Sequence, residues 1–225
     1  MADPRWCAPL MPGLVTGLQA EARLAARLGL ARAGGGLPAG AAAAAESLVG
    51  AGATALVSFG LCGGLDPALP AGSLLVPRRV LDGADDYATD PRLAAALGGW
   101  SCMALAAAAA PVASRAARQA LFRASAAAGV DLESGAVARV AARHGLPFAV
   151  LRAVCDPATL NLPPLALLAL DGDGRVRVGR MAASLLARPS QIAALLVLAR
   201  AAATARAALV GRVRDIRAGG GRRVA

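Results

Sequence analysis

Short apolar runs alternating with longer helical patterns constrain this chain most, because strands that cross over through helices build an α/β domain around a buried sheet. Leu10–Gly17 reads as a first strand, interrupted by Pro12 and Gly13, and Gln19–Leu28 as the helix that leaves it. After a Gly/Pro loop at Gly34–Gly40, a helix over Ala41–Val49 leads into a strand at Ala53–Phe59, which opens into a glycine-rich turn, Gly60–Gly64. Ser73–Val80 is a further strand and Asp82–Pro91 a polar loop; Ser114–Ala128 and Leu132–Arg143 are helices, the second stopped by Gly145-Leu146-Pro147. Phe148–Cys155 is the most hydrophobic β-like run, and it ends at Asp156-Pro157. A Pro-rich loop, a turn at Asp171–Gly174 and a long helix from Gln191 to about Arg217 follow, with 1–9 and 219–225 expected to fray. No repeat or linker interrupts the 225 residues, so one domain is expected.

The composition narrows the chemistry. Hydrophobic residues make up 57% and aromatics 3%, so Ala, Leu, Val and Gly must build the core. The net charge of +10 invites a nucleic-acid reading, but the 24 basic residues are all Arg, scattered, with no aromatics between them to stack bases. No nucleic-acid partner is expected. Without Lys there is no P-loop lysine and no Schiff base, which removes Walker-type NTPases and PLP enzymes. Cys7, Cys62, Cys102 and Cys155 show no CxxC spacing, and His144 is the only histidine. Reduced thiols in the cytoplasm, and no metal, are therefore expected. Met1–Gly13, broken by three prolines, lacks an apolar leader segment, and Leu93–Ser114 is uncharged but too rich in Ala and Gly to read as a membrane span.

In open α/β sheets, ligands bind beyond the carboxyl ends of the strands. Those ends here lead to Gln19-Ala20-Glu21, to Gly60–Gly64 and to Cys155-Asp156, and Glu133 opens a helix nearby in sequence. Each has a plain structural reading. Asp156 before Pro157 suits a turn start, Glu133 suits a helix N-terminus, and the glycines suit a tight connection.

The order of three segments adds a resemblance. Gly-Leu-Cys-Gly-Gly-Leu-Asp-Pro at 60–67, Val-Asp-Leu-Glu-Ser-Gly-Ala-Val-Ala at 130–138 and Leu-Arg-Ala-Val-Cys-Asp at 151–156 resemble the glycine loop, ribose-binding segment and purine-binding strand end of the purine nucleoside phosphorylase and methylthioadenosine nucleosidase superfamily. Val-Thr-Gly-Leu at 15–18, Leu-Pro-Pro at 162–164 and Leu-Asp-Gly-Asp-Gly-Arg-Val-Arg at 170–177 are similar to its hopanoid-associated phosphorylase branch. The resemblance, which spans roughly 14–215, implies a three-layer α/β/α sandwich with a twisted mixed sheet. It also implies adenine release from adenosylhopane, by phosphate or by water, with a methylthioadenosine or adenosylhomocysteine nucleosidase and a non-catalytic nucleoside-binding protein as rivals. No cofactor is implied beyond phosphate as a co-substrate, and a homo-oligomer is expected.

The reaction places demands that these residues can meet. Cleaving a purine N-glycosidic bond builds positive charge on the ribose and negative charge on the base. A protonated Asp156 can neutralise the base, and an ionised Glu133, beside Leu132, can accept the ribose hydroxyls. Gly60, Cys62, Gly63 and Gly64 offer backbone N–H groups to phosphate or water. Glu21 is the candidate that activates water, although an ungapped match from Gly17 puts the family's glutamate at Ala22, and an exposed helix residue is the other reading. Cys155 stands where the superfamily usually has Ser. The aromatic pair that commonly encloses the base is replaced by Ala110-Pro111-Val112-Ala113, so Val112 becomes the purine-side contact.

Other patterns carry less. Gly50-Ala51-Gly52 precedes a strand instead of following one, and the Asp171–Gly174 turn has Ala182 where a calcium loop needs Glu. His144 beside Gly145 reads as a helix cap, Asp82, Asp85, Asp86 and Asp90 as a solvated loop, and Tyr87 as a residue that could border the pocket. On the last helix Arg200, Arg206, Arg214 and Arg217 share about a third of the circumference, next to Leu198, Leu209, Val213 and Ile216. That pattern reads either as a solvated face over a packed strip or as peripheral contact with anionic lipid at the inner membrane face.

Overall fold

A computed structural model describes residues 10–160 and 192–220. Cys7, the loop at 162–164, the turn at Asp171–Gly174, Gln191 and the tail beyond 220 lie outside them. The elements run β1 (Pro12–Thr16), α1 (Gln19–Ala25), β2 (Leu30–Ala33), α2 (Pro38–Gly50), β3 (Ala55–Gly64), β4 (Leu74–Leu75), β5 (Pro77–Asp82) and β6 (Asp85–Ala88). They continue through α3 (Pro91–Ala96), β7 (Cys102–Ala107), α4 (Arg115–Ser125), β8 (Gly129–Asp131), α5 (Ser134–Arg143), β9 (Phe148–Asp156) and α6 (Ile192–Gly220).

The nine strands among the described residues form one mixed sheet. β1 runs parallel to β2 and to β3, and β3 runs parallel to β9 from Leu56 with Phe148 onward. At its tip β3 meets β8 antiparallel, and β8, β7 and β5 continue in parallel to the β5–β6 hairpin. Strands covered on both faces read as near-continuous apolar runs, and successive residues here enter opposite layers. Val15, Leu56 and Val150 pack with Ala41, Leu48, Val137 and Val140 of α2 and α5. Their neighbours Leu14, Val57 and Leu151 pack with Ala25, Leu93, Leu209 and Val213 of α1, α3 and α6. The result is the expected three-layer α/β/α sandwich.

Several elements differ from the sequence expectation. Gly60–Gly64 is not a turn but the extended end of β3, where Gly60–Gly63 pair with Arg152–Asp156 of β9 across a register shift and Gly64 pairs with Gly129 of β8. Gly60, at φ +150°, has no room for a Cβ, which would lie 2.9 Å from both Arg152 Nη1 and Glu21 Oε2. β2, β7 and β8 emerge from stretches with weak strand propensity, Leu-Ala-Arg-Ala, Cys-Met-Ala-Leu-Ala-Ala and Gly-Val-Asp, because pairing in the sheet overrides it. The polar loop at 82–91 folds into β6 and the start of α3. There Asp86 pairs with Arg79 at 3.1 Å and Asp90 caps α3 through the N–H groups of Arg92 and Leu93, at 2.8 and 2.9 Å. α4 stops at Ser125 because Ala126 turns left-handed, short of the expected Ala128, and α6 continues to Gly220, into the tail expected to fray. His144 ends α5, before Gly145 at φ +61°, with Nε2 2.8 Å from Glu46 Oε2.

Among the described residues, Ala194–Gly219 of α6 is the one helix long and apolar enough to cross a membrane by length and composition. Its Ala205, Leu209 and Val213 are buried against the sheet. Arg200, Arg206, Arg214 and Arg217 point outward, whereas the half-buried Arg212 donates to Leu97 O at 3.2 Å.

Candidate active site

The carboxyl ends of the central strands open into a cavity of about 240 Å³. α1 contributes Glu21, β3 Leu61, Cys62 and Gly63, and the β8–α5 junction Asp131, Leu132 and Glu133. β9 contributes Arg152, Cys155 and Asp156, and Pro111, Val112 and Arg118 complete that side. Of the expected glycines, Gly63 lines the space, whereas Gly60 packs against Glu21 and Arg152, and Gly64 packs under the Pro157–Ala158 turn. Tyr87 is not part of this lining; it borders a separate groove with Ala138 and Phe148.

Glu21 occupies the first turn of α1 and reaches back, so that Leu18 N–H donates to Oε2 at 3.0 Å. Its other oxygen accepts from Leu61 N–H at 3.1 Å. At 5% exposure it is not a surface helix residue. Burial first and then the neighbouring Glu133 raise its pKa from 4.5 to about 7, against the opposing pull of Arg152. A carboxyl poised there can exchange a proton near neutrality.

Arg152 organises the acids around it and was not anticipated from the sequence. Fully buried in β9, it places Nε 2.7 Å from Asp131 Oδ2 and Nη2 2.6 Å from Glu133 Oε2. The same guanidinium donates to Ser58 Oγ at 2.6 Å and to Leu61 O at 3.1 Å. Asp131 also accepts from Ser134 N–H at 3.1 Å, which fixes the start of α5 and hence the position of Glu133. The Glu133 carboxyl is raised by burial and by Asp131, while Arg152 favours its charged form. A lone charge inside the apolar run Phe148–Cys155 was the available signal, since a buried arginine requires acidic partners.

At the end of β9 the register with β3 slips, so that Cys62 faces Val154 but Gly63 faces Asp156, which leaves Cys155 as an extra residue. Consecutive strand residues normally point to opposite faces; the bulge lets both Cys155 and Asp156 line the cavity. Cys155 Sγ lies 3.2 Å from Asp156 Oδ1, and Arg118 Nη2 pairs with Oδ2. Burial raises the Asp156 carboxyl, with Arg118 as the main opposing influence. Both thiols bordering the space, Cys62 and Cys155, are held protonated, chiefly by burial. Three residue steps along β3, roughly 10 Å of strand, separate the Gly60 position beside Glu21 from the Gly63 position beside Asp156.

Fold and site together define an α/β domain with a carboxylate-rich cleft at its strand ends. The profile of the Phosphorylase superfamily matches residues 22–98 and 100–188, and the chain belongs to that superfamily. Among solved structures, an S-adenosylhomocysteine nucleosidase from Streptococcus pyogenes, in complex with 5-methylthiotubericidin, is similar at 18% identity and TM-score 0.61, over 68% of this chain and 86% of that one. A Helicobacter pylori MTAN with 5′-methylthioadenosine in its active site is similar at 16% identity and TM-score 0.64, over 92% and 100%. Futalosine hydrolase of Helicobacter pylori is similar at 16% identity and TM-score 0.60, over 66% and 89%. These are likenesses of fold. No curated protein matches the chain.

Proposed function

We propose that this protein cleaves the N-glycosidic bond of an adenine nucleoside by hydrolysis, with adenosylhopane as its substrate. The observation that carries the reading is the presence in one cavity of a carboxyl titrating near neutrality, Glu21, a buried carboxyl at a bulged strand end, Asp156, and an arginine-held carboxylate, Glu133. In this reading Glu21 takes a proton from water as it attacks the anomeric carbon. Glu133 accepts the ribose hydroxyls and Asp156 delivers a proton to the departing base. Val112, Leu132 and Cys155 border the nucleoside. The nucleosidase and hydrolase names of the similar structures agree with this class of reaction.

Charge favours water over phosphate. Four carboxyl groups, Glu21, Asp131, Glu133 and Asp156, face two guanidiniums, Arg118 and Arg152. Arg152 is paired with Asp131 and Glu133 and donates to Ser58 Oγ and Leu61 O, and the Leu61 N–H goes to Glu21. A phosphate dianion beside Glu21 and Glu133 would meet like charge in a poorly solvated space. The adenosylhopane assignment rests on the resemblance of the 15–18, 162–164 and 170–177 segments. A cavity of about 240 Å³ leaves a substituent as bulky as a hopane outside, on the 5′ side.

Incubation with adenosylhopane, adenosine and methylthioadenosine, each with and without phosphate, tests the reading. Adenine should appear at equal rates in both buffers, fastest from adenosylhopane, with a free sugar product. Release that requires phosphate, or yields a sugar 1-phosphate, rejects hydrolysis; a preference for methylthioadenosine rejects the hopanoid assignment.

A further inference from the structure

Arg118 is the only buried residue of α4, a helix whose other described positions are half-buried or exposed, and it is 1% exposed. Removing a guanidinium from water costs several kcal/mol unless its donors are satisfied. Nε donates to Val112 O at 2.8 Å, and Nη1 donates to Asp156 O at 2.9 Å and to Pro157 O at 3.3 Å. Those carbonyls would suffice to anchor the helix. Nη2 goes further and takes Oδ2 of the Asp156 side chain. Both Val112 and Asp156 line the cavity, so one side chain joins the loop on one side of the space to the acid at its wall.

We propose that Arg118 is the positioning residue of Asp156: it occupies Oδ2, so that the transferable proton resides on Oδ1, and it stabilises the carboxylate left when that proton goes to the base. This rests on the hydrolytic reading above. Oδ2 accepts from a charged guanidinium, whereas Oδ1 accepts from the Cys155 thiol, a weak donor, so the O–H forms at Oδ1. During cleavage the Oδ1–H bond breaks as hydrogen bonds to N7 of the purine. The electron pair of the glycosidic bond moves into the base, and the negative charge that appears on Asp156 faces Arg118. The pair is tighter after transfer than before it, which is the condition for lowering a barrier. Arg118 thus makes a buried acid, weakened by its surroundings, a stronger proton donor.

The test uses Arg118→Lys, which keeps the charge but loses the fork, and Arg118→Met, which loses both. The Asp156 carboxyl is followed by ¹³C NMR, assigned by its loss in Asp156→Asn, alongside the pH dependence of adenine release. In Arg118→Met the carboxyl should titrate about one pH unit or more higher than in wild type. The alkaline limb of kcat should move up with it, and kcat at the optimum should fall about tenfold or more with little change in KM. Arg118→Lys should keep the titration near wild type while losing part of kcat. A purely structural Arg118 would lower thermal stability without moving the titration. An unchanged Asp156 titration in folded Arg118→Met overturns the proposal. If that variant does not fold, wild-type kcat, KM and pH profile in Arg118→Lys overturn it instead. Failure of wild type to release base from any nucleoside would sink the hydrolytic reading alone, because the carboxyl titration still decides whether Arg118 controls Asp156.

Discussion

Replacing Glu21 by Gln keeps the volume and removes the titration, so its effect can be worked out from the site. The folded carboxyl titrates at about 7 instead of 4.5, and a pH unit corresponds to about 1.4 kcal/mol, which makes the ionised form about 3 kcal/mol costlier to bury than the neutral one. At 5% exposure, solvent screening does not reduce this appreciably. The pKa is raised on folding, so between 4.5 and 7 the folded protein holds more proton than the unfolded chain, and stability from this site falls as pH rises through that window. Below 4.5 the contribution is fully present, and above about 7 it is gone. The amide of the variant does not titrate and has no such dependence. The stability of Glu21→Gln minus that of wild type should therefore rise by about 3 kcal/mol between pH 4 and pH 8. Urea denaturation of both proteins across that range measures the difference, and the other buried acids, common to both, largely cancel. On the hydrolytic reading, adenine release in wild type should also gain about tenfold per pH unit below 7, and Glu21→Gln should lose release at every pH. Parallel stability curves, constant to within about 1 kcal/mol, would refute the burial argument. A retained acidic limb in the variant would remove Glu21 from the chemistry.

Asp156→Asn should lower turnover by ~10²-fold or more while keeping the fold, because an amide oxygen can still accept from Arg118 in place of the neutral carboxyl; steady-state kinetics and thermal melts read the two effects separately. Glu133→Gln should narrow the preference for ribosyl over 2′-deoxyribosyl substrates, since the charge-assisted bonds to the hydroxyls are weakened; equal ratios of kcat/KM in both proteins would make Glu133 structural. The outward arginines of α6 should bind anionic vesicles in co-sedimentation, with about 1 kcal/mol lost per Arg→Gln at 206, 214 and 217 and with strong weakening by salt; no binding at low salt would leave α6 as a packing element.

The sandwich was legible because its central strands β1, β3 and β9 are apolar on both faces, and because helical segments separate them. Glu21, Glu133 and Asp156 stood out by their places beyond strand ends and by the order of the resembling segments, each having a plain structural reading when taken alone, whereas Asp131 did not stand out. Other features were hidden by composition. In a chain whose basic residues are all Arg, nothing local distinguishes Arg118 from Arg115 or Arg123, since only the fold brings Asp156 to one of them. Arg152 stood out in principle as a charge within an apolar strand, yet its partners come from three separate elements, β3, β8 and the approach to α5. The glycines at 60–64 read as a turn because glycine disfavours strands. Here a strand needs glycine at position 60, since Glu21 and Arg152 leave no space for a side chain. β7 was missed for the reverse reason, its alanines favouring helix until β5 and β8 pair with it on both sides.

The bulge at Cys155 lies on a strand paired along one edge with β3 and, at Arg152 and Ala153, with β4 on the other. β9 also feeds both hydrophobic layers, through Val150 and Leu151. Its amides bonded to β3 should therefore exchange with deuterium only through the rarest, global opening of the domain. A cleft mounted on such a strand has no soft intermediate setting: it is either assembled or the molecule is unfolded. Adaptation to a new base or a new sugar substituent would then fall to the more exposed stretch around Pro111 and Val112, where substitutions reshape the rim without taxing the core. Retuning Asp156 itself would be open only to changes that the whole domain can withstand.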